Sequence, residues 1–203
     1  QWLRARDIAA ALRASLDIPL VAGGLHPTFA AEQVLAAPGF DRVCLGEGEE
    51  ALAELMDHLE ATGALPETLS NLWAPGGPRP ALRPPLQDLD ALPFLARDLL
   101  SEPRGVAYVT TQRGCPFPCT YCGARQFADL YAAVGSYGRR RSVASVLREI
   151  DALRAEGTAY LVFLDDTFTL HRPWVLELCR ELAARGSVPF SIHARVETVS
   201  PKL

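Results

Sequence analysis

Thr110-Thr111-Gln112-Arg113-Gly114-Cys115-Pro116-Phe117-Pro118-Cys119-Thr120-Tyr121-Cys122 places three cysteines at C-x3-C-x2-C spacing directly after the strand-like stretch Val106 to Thr110. Three thiolates are one short of a closed four-ligand metal site. Iron–sulfur clusters held by four cysteines serve electron transfer, whereas three cysteines leave one iron open to a substrate, by the logic that separates catalytic from structural zinc. Pro116 and Pro118 keep the loop from winding into a helix, and Gly114 is expected to let the backbone come close to a cluster. A zinc site completed by a histidine, and a chance grouping of unliganded thiols, are the competing readings. The zinc reading is weakened because the nearest histidines, His171 and His193, lie roughly 50 or more residues downstream, and zinc signatures usually pair C-x2-C with a second close pair.

Outward from this loop, strand and helix alternate. Downstream, Val143, Val146, Leu147, Ile150 and Leu153 form one apolar helical face. Tyr160 to Leu164 reads as a second strand, Val175, Leu178, Cys179 and Leu182 stripe a second helix, and Phe190 to His193 reads as a third strand. Such βα succession predicts a parallel sheet. A closed (β/α)8 barrel takes about 250 residues, so residues 104–203 are either a very small domain or a barrel cut short. Upstream, residues 62–103 hold half of the chain's 16 prolines, with Gly76-Gly77 among them, and read as a linker. Its isolated Leu69, Leu72 and Trp73 are expected to pack on a domain surface.

Residues 1–61 alternate as well. Ile8, Leu12 and Leu16 recur at helical spacing before the strand-like run Ile18 to Ala22, which stops at Gly23-Gly24. A helix is expected over Ala30 to Ala37, a strand around Val43 to Leu45, a Gly46-Glu47-Gly48 turn, and a helix with Leu52, Leu55, Met56 and Leu59 on one face.

The composition is that of an ordinary globular protein: 203 residues, 49% hydrophobic, 22% charged, formal net charge -4. Disorder and collagen-like repetition are excluded, and no window approaches the roughly 20 apolar residues of a membrane helix. Lys202 is the only lysine among 20 basic residues, and Arg139-Arg140-Arg141 is the only basic run, so nothing supports a nucleic-acid partner. Taken alone, that run reads as a solvated surface. The 5 cysteines are few and uneven for a disulfide framework, and a reducing cytoplasm is the expected setting. Cys44 and Cys179 read as core residues.

The cysteine loop, with the aromatic Tyr121 before its last cysteine, resembles the signature of the radical S-adenosylmethionine (radical SAM) enzymes. The resemblance implies that Cys115, Cys119 and Cys122 hold a 4Fe-4S cluster whose open iron chelates S-adenosylmethionine, that the backbone near Tyr121 abuts the adenine, and that a reduced cluster cleaves the cofactor to a 5'-deoxyadenosyl radical. Phe163-Leu164-Asp165-Asp166-Thr167-Phe168 stands where the family places acidic or polar residues for the methionine amino group. A carboxylate there can pair with an ammonium at the carboxyl edge of the sheet. Alternatively, Asp165 or Asp166 caps the following helix. Ile192-His193-Ala194-Arg195-Val196-Glu197 is similar to the family's arginine-bearing third strand end, so Arg195 either holds a carboxylate of cofactor or substrate or forms a structural ion pair. The Arg139 to Ser142 stretch also recurs in the family, with Ser142 expected as a helix N-cap.

Gly23-Gly24 and Gly46-Glu47-Gly48 follow two successive parallel strands, the edge at which open α/β sheets bind ligands. Glycine there admits a bulky group, although it is also ordinary turn chemistry. Followed by the proline-rich segment and the cysteine loop, this half resembles the cobalamin domain of cobalamin-dependent radical SAM enzymes. That resemblance implies cobalamin near Gly23, Gly24, Gly46 and Gly48. The D-x-H-x-x-G loop common in cobalamin domains does not occur; it either lies upstream of Gln1 or is dispensed with, and neither His26 nor His58 replaces it.

The fold expected is α/β: the C-terminal part of a Rossmann-like cobalamin-binding domain (1–61), a proline-rich linker (62–103), and the first half of a (β/α) TIM-type radical SAM barrel (104–203). Gln1 and Leu203 are both expected to fall inside domains, which makes the chain a fragment. The implied activity is a radical methyl transfer to an unactivated carbon of a small-molecule or lipid-like substrate, with an external electron donor such as flavodoxin or ferredoxin. A cobalamin-dependent cyclase or rearrangement enzyme is the alternative, and a non-catalytic zinc or iron–sulfur module, with a fourth protein ligand and no S-adenosylmethionine binding, is a third reading.

Overall fold

In the computed structural model, which describes residues 1–99, 105–186 and 188–200, Val43 and Cys44 face opposite sides of one strand. That alternation organises the N-terminal half. The chain divides into two units, Gln1–Pro85 with Ala133–Gly135, and Leu86–Ala132 with the residues from Ser136 onward.

The first unit runs α1 (Trp2–Ser15), β1 (Val21–Ala22), α2 (Leu25–Phe29), α3 (Ala31–Leu35), β2 (Arg42–Cys44), α4 (Glu49–Thr62) and β3 (Leu72–Trp73). β1 and β2 are parallel, with Val21 opposite Arg42 and Ala22 opposite Val43, so the chain must cross over between them, which α2 and α3 accomplish. Val43 packs with Ala22, Ala31, Val34 and Leu45, whereas Cys44 packs with Ala51, Leu55 and Leu72. Both faces of the sheet are therefore covered, as a parallel sheet requires. The expected helix over Ala30 to Ala37 is instead α2 and α3, broken at Ala30, and the strand from Ile18 shortens to Val21–Ala22. Ile8, Leu12 and Leu16 lie on or just beyond α1 but are exposed, and Ala9 is its buried residue; Leu52 and Met56 of α4 are exposed too.

The proline-rich segment is more than a linker. Leu72 and Trp73 form β3, antiparallel to β2 with Cys44 opposite Leu72, so the first unit extends to Pro85 rather than stopping at 61. Buried Asn71 adopts φ 69°, a conformation Asn tolerates better than most residues. Its side chain donates to the Glu47 carbonyl (2.8 Å) and accepts from Arg83 N–H (2.7 Å), tying the segment to the turn after β2. The rest of the expected linker enters the second unit, and residues 100–104 lie outside the described residues.

The second unit runs β4 (Val106–Val109), β5 (Gln112–Arg113), α5 (Ala124–Tyr131), β6 (Arg139–Arg140), α6 (Val143–Ala155), β7 (Tyr160–Phe163), α7 (Arg172–Ala184) and β8 (Phe190–Ser191). β4, β7 and β8 form a parallel sheet in that order, with α6 and α7 as the crossovers. All five expected apolar positions of α6 are buried, with Val175, Leu178 and Leu182 of α7, against Ala107, Val109, Leu161 and Phe163. Tyr108 and Tyr160, on the alternate positions of β4 and β7, remain partly exposed, so the two helices share one face of the sheet. Ser142 caps α6, accepting from Ser145 N–H at 3.0 Å. β5 and β6 pair antiparallel, Gln112 opposite Arg140 and Arg113 opposite Arg139, closing the base of the excursion that carries the cysteine loop and α5. Among the described residues, no helix is long and apolar enough to cross a membrane.

Candidate functional site

The cysteine loop begins two residues after β5 has diverged from the sheet, and its start is fixed by the end of the neighbouring strand. Beyond β7, Asp165 is buried at 2% exposure. One of its oxygens accepts from the N–H groups of Thr111 (2.7 Å) and Gln112 (2.9 Å), the other from the Thr111 hydroxyl (2.7 Å). Burial pushes the Asp165 carboxyl above its ordinary value in spite of these bonds, and the neighbouring Asp166 charge adds to the rise. The Gln112 side chain donates in turn to the Thr167 carbonyl at 2.6 Å. Asp165 is thus committed to holding the backbone before the loop, and only the exposed Asp166 remains open to a ligand. Neither residue caps the next helix; His171 does, accepting from Trp174 N–H.

The loop itself is held at each cysteine. Cys115 Sγ lies 3.5 Å from the hydroxyl of buried Thr167. Arg195, beyond β8, donates to Cys119 Sγ (3.1 Å), stacks 4.2 Å over the Phe117 ring and pairs with Glu197 (2.7 Å). Cys122 N–H donates to the Cys119 carbonyl, and Cys122 Sγ accepts from Ala124 N–H at the start of α5. Cys115 and Cys119 are half-buried, Cys122 is exposed, and Tyr121 projects outward at 90% exposure. Among the described residues no three Cys, His, Asp or Glu side chains are gathered as a metal-binding group, so the cysteines share one loop without converging. Cys44 is buried and Cys179 half-buried against the core, and burial pushes both thiols up, as suits packing residues.

Gly114 makes a close backbone approach within the protein itself. At φ +93° a Cβ would stand 2.7 Å from the Tyr137 carbonyl oxygen, so the close approach is to the strand returning from the excursion. The Arg139 to Arg141 run is not a solvated surface. Arg139 is buried and donates to the carbonyls of Tyr137 and Leu86. Arg141 pairs with buried Glu149, which also receives Arg97 at 2.7 Å. The signal for Glu149 was available: a carboxylate flanked by the α6 stripe residues Val146, Ile150 and Leu153.

In the first unit, the turns after β1 and β2 lie side by side at the carboxyl ends of their parallel strands. Buried Thr28, which sequence reading missed, joins them: its hydroxyl donates to the Gly24 carbonyl (2.7 Å) and accepts from Gly46 N–H (3.0 Å). Gly24 (φ +97°) faces open space, with nothing within 4 Å of a Cβ. Gly46 also has positive φ, whereas Gly23 and Gly48 back onto Cys44. The four glycines therefore form one strand-end rim, with Gly24 as its open point.

Residues 3–56 match the family model described as B12 binding domain, and residues 109–203 match that of the radical SAM superfamily. The chain is 33% identical, over 92% of its length, to an uncharacterized methyltransferase of Pyrococcus horikoshii, covering 42% of that protein. It is 33% identical over 88% of its length to the anaerobic magnesium-protoporphyrin IX monomethyl ester cyclase of Cereibacter sphaeroides, covering 31% of it. A hopanoid C-3 methylase of Methylococcus capsulatus is 29% identical over 81% of the chain. The chain thus spans well under half the length of these curated relatives. The radical SAM methyltransferase TsrM of Kitasatospora setae, solved with cobalamin and a [4Fe-4S] cluster, shares the fold with a TM-score of 0.63 at 21% identity, over 89% of this chain and 36% of that one. Two matched domains in the expected order, with the 33% identity to a relative over 92% of the chain, place it among the radical SAM enzymes that carry a cobalamin-binding domain.

Proposed function

We propose that the protein to which this chain belongs is a cobalamin-dependent radical SAM methyltransferase. The observation that carries this reading is the cysteine loop braced by Asp165, Thr167 and Arg195 from beyond the next two strands of the sheet. The donor set fits a three-cysteine cluster: thiols without carboxylate or imidazole, two of them already receiving N–H donors as thiolate sulfurs do. The open Gly24 rim likewise fits a bulky planar group laid against backbone. When bound, a 4Fe-4S cluster with S-adenosylmethionine supplies a 5'-deoxyadenosyl radical by reductive cleavage, and cobalamin carries the methyl group to the substrate carbon.

The residues of this chain would position and shield. Cys115, Cys119 and Cys122 would hold the cluster, with Arg195 fixing Cys119 and keeping a buried Nε–H free for an acceptor. Asp166 would take the ammonium of S-adenosylmethionine, and the backbone at Tyr121 would lie against its adenine. Gly23, Gly24, Gly46 and Gly48 would form the cobalamin edge. Residues 104–203 would be the first half of the barrel, and a flavodoxin or ferredoxin would deliver the electron. The test is anaerobic reconstitution of the intact protein with iron and sulfide, followed by paramagnetic resonance with and without S-adenosylmethionine. A cluster spectrum that shifts with S-adenosylmethionine, and is lost in Cys119→Ala but kept in Cys179→Ser, is expected; tight zinc, or a spectrum indifferent to S-adenosylmethionine, refutes it.

The 33% identity to a cyclase supports a second reading, cyclisation without methyl transfer. Transfer of labelled methyl from S-adenosylmethionine to product separates the two.

A further inference from the structure

Beside the cysteine loop, within the second unit, a cavity of about 330 Å³ opens between the β5–β6 ladder and α5. Arg113, Arg139 and Arg140 line it together with Gly114, Cys115 and Gly138, and none of its lining residues is an Asp or Glu. A volume of this order lies at the small end of ligand sites.

Arg140 is the informative residue. Its neighbours in sequence have tasks: Arg139 donates to main-chain carbonyls and Arg141 pairs with Glu149. Arg140 is half-buried, yet its guanidinium makes no hydrogen bond and no ion pair. Its one interaction is with the indole of Trp174, the guanidinium carbon lying 5.9 Å from the ring centroid. A cation over an indole is favourable, and it leaves the edge of the planar fork, with its five N–H donors, without a protein acceptor and open to the solvent of the cavity. Burial lowers the pKa of the group somewhat, the expected signature of a charge taken from water without a partner. Stacking on the indole fixes the guanidinium at the cavity wall. The charged lining of that cavity is wholly basic, with Gly138 adding no side chain to obstruct it.

We propose that this cavity is an oxyanion site, in which Arg140, stacked on Trp174, grips a carboxylate or phosphate group with Arg113 on the same rim. The guanidinium fork matches two oxygens of such a group at once, and the indole sets its plane. Its place beside Cys115 suits a group that anchors a substrate while the reacting part reaches the loop. The same chemistry is carried by the carboxylate of S-adenosylmethionine, so the test must separate the two sources. The site requires neither cluster nor cobalamin, and its failure would leave the proposed function standing.

The experiment uses the intact protein without its cluster and inorganic pyrophosphate as probe. Binding is followed by calorimetry and by tryptophan fluorescence, since a ligand on Arg140 sits above Trp174. We expect saturable, salt-sensitive binding that falls at least about tenfold in Arg140→Met, is unchanged in Arg148→Met, and gives no fluorescence change in Trp174→Phe. Arg140→Lys keeps the charge without the fork and is expected to be intermediate. If S-adenosylmethionine displaces pyrophosphate, the site takes the cofactor's carboxylate; if both bind together, it takes an anionic group of another ligand. Absence of pyrophosphate binding, or equal binding by wild type and Arg140→Met, overturns the proposal.

Discussion

Replacing Asp165 by alanine should cost stability, and replacing Asp166 should not. In Asp165→Ala the N–H groups of Thr111 and Gln112 lose their acceptor at positions that are buried and half-buried. Each unsatisfied buried donor costs about 1–3 kcal/mol. Relief of the carboxylate's own burial offsets part of this, so the net loss should be about 2–4 kcal/mol. Asp166 is exposed, and its replacement should stay within about 0.5 kcal/mol. The assay is urea denaturation of the intact protein, read in the transition of the second unit, with S-adenosylmethionine binding measured separately. A loss below about 1 kcal/mol in Asp165→Ala would show that the three hydrogen bonds do not brace the loop. A sign follows for pH as well. The native carboxyl lies above its ordinary value of 3.8, so its stabilising contribution is full below that pH and declines as pH rises through the native value. The gap between wild type and Asp165→Ala should therefore be wider near about pH 4.5 than near about pH 7.5. A gap that widens with rising pH would contradict burial as the dominant influence.

Gly114→Ala forces both a positive φ and a contact of 2.7 Å with the Tyr137 carbonyl, so it should displace the cysteine loop and lower iron incorporation on reconstitution while the first unit still binds hydroxocobalamin. Thr28→Val keeps the side-chain shape but removes the link between Gly24 and Gly46; it should cost about 1–3 kcal/mol and weaken hydroxocobalamin binding without changing iron content. Glu149→Ala leaves Arg97 and Arg141 without their carboxylate in a nearly dry setting and should cost about 3–5 kcal/mol, read as a lower midpoint in urea.

What the sequence discloses here follows from the range over which each signal acts. The α6 stripe and the strand-like run Tyr160 to Leu164 are patterns written within a dozen residues; the stripe appears as read, and the strand does too except that it ends at Phe163. Cys115, Cys119 and Cys122 are likewise a local spacing, legible without any contact. The break at Ala30 and the exposure of Leu12 and Leu52 depend on which neighbours are present to cover them, and that is not written in the period. β3 was hidden for a related reason: two residues are too few for an alternation to register, and the surrounding prolines dominate the segment. The long-range bonds were the least visible. Nothing near Asp165 distinguishes a carboxylate that will be spent on Thr111, 54 positions away, from one left for a ligand.

Those hidden bonds explain how a loop with no regular structure can be a site at all. Between Gly114 and Gly123 the chain forms neither helix nor strand, so its order must be imposed from outside. Each supporting side chain comes from beyond the carboxyl end of a sheet strand: Thr111 after β4, Asp165 and Thr167 after β7, Arg195 after β8. Adjacent parallel strands end close together, so residues remote in sequence are delivered to one edge at no further cost in chain entropy. In the sequence, the resemblance to the family points Asp165 and Arg195 to the cofactor, with a helix cap and a structural ion pair as their alternatives, because polar residues at strand ends mark a binding edge. The same edge must also brace the cysteine loop. A buried carboxylate whose oxygens already accept three hydrogen bonds is a builder, whereas the exposed carboxylate beside it is free to bind.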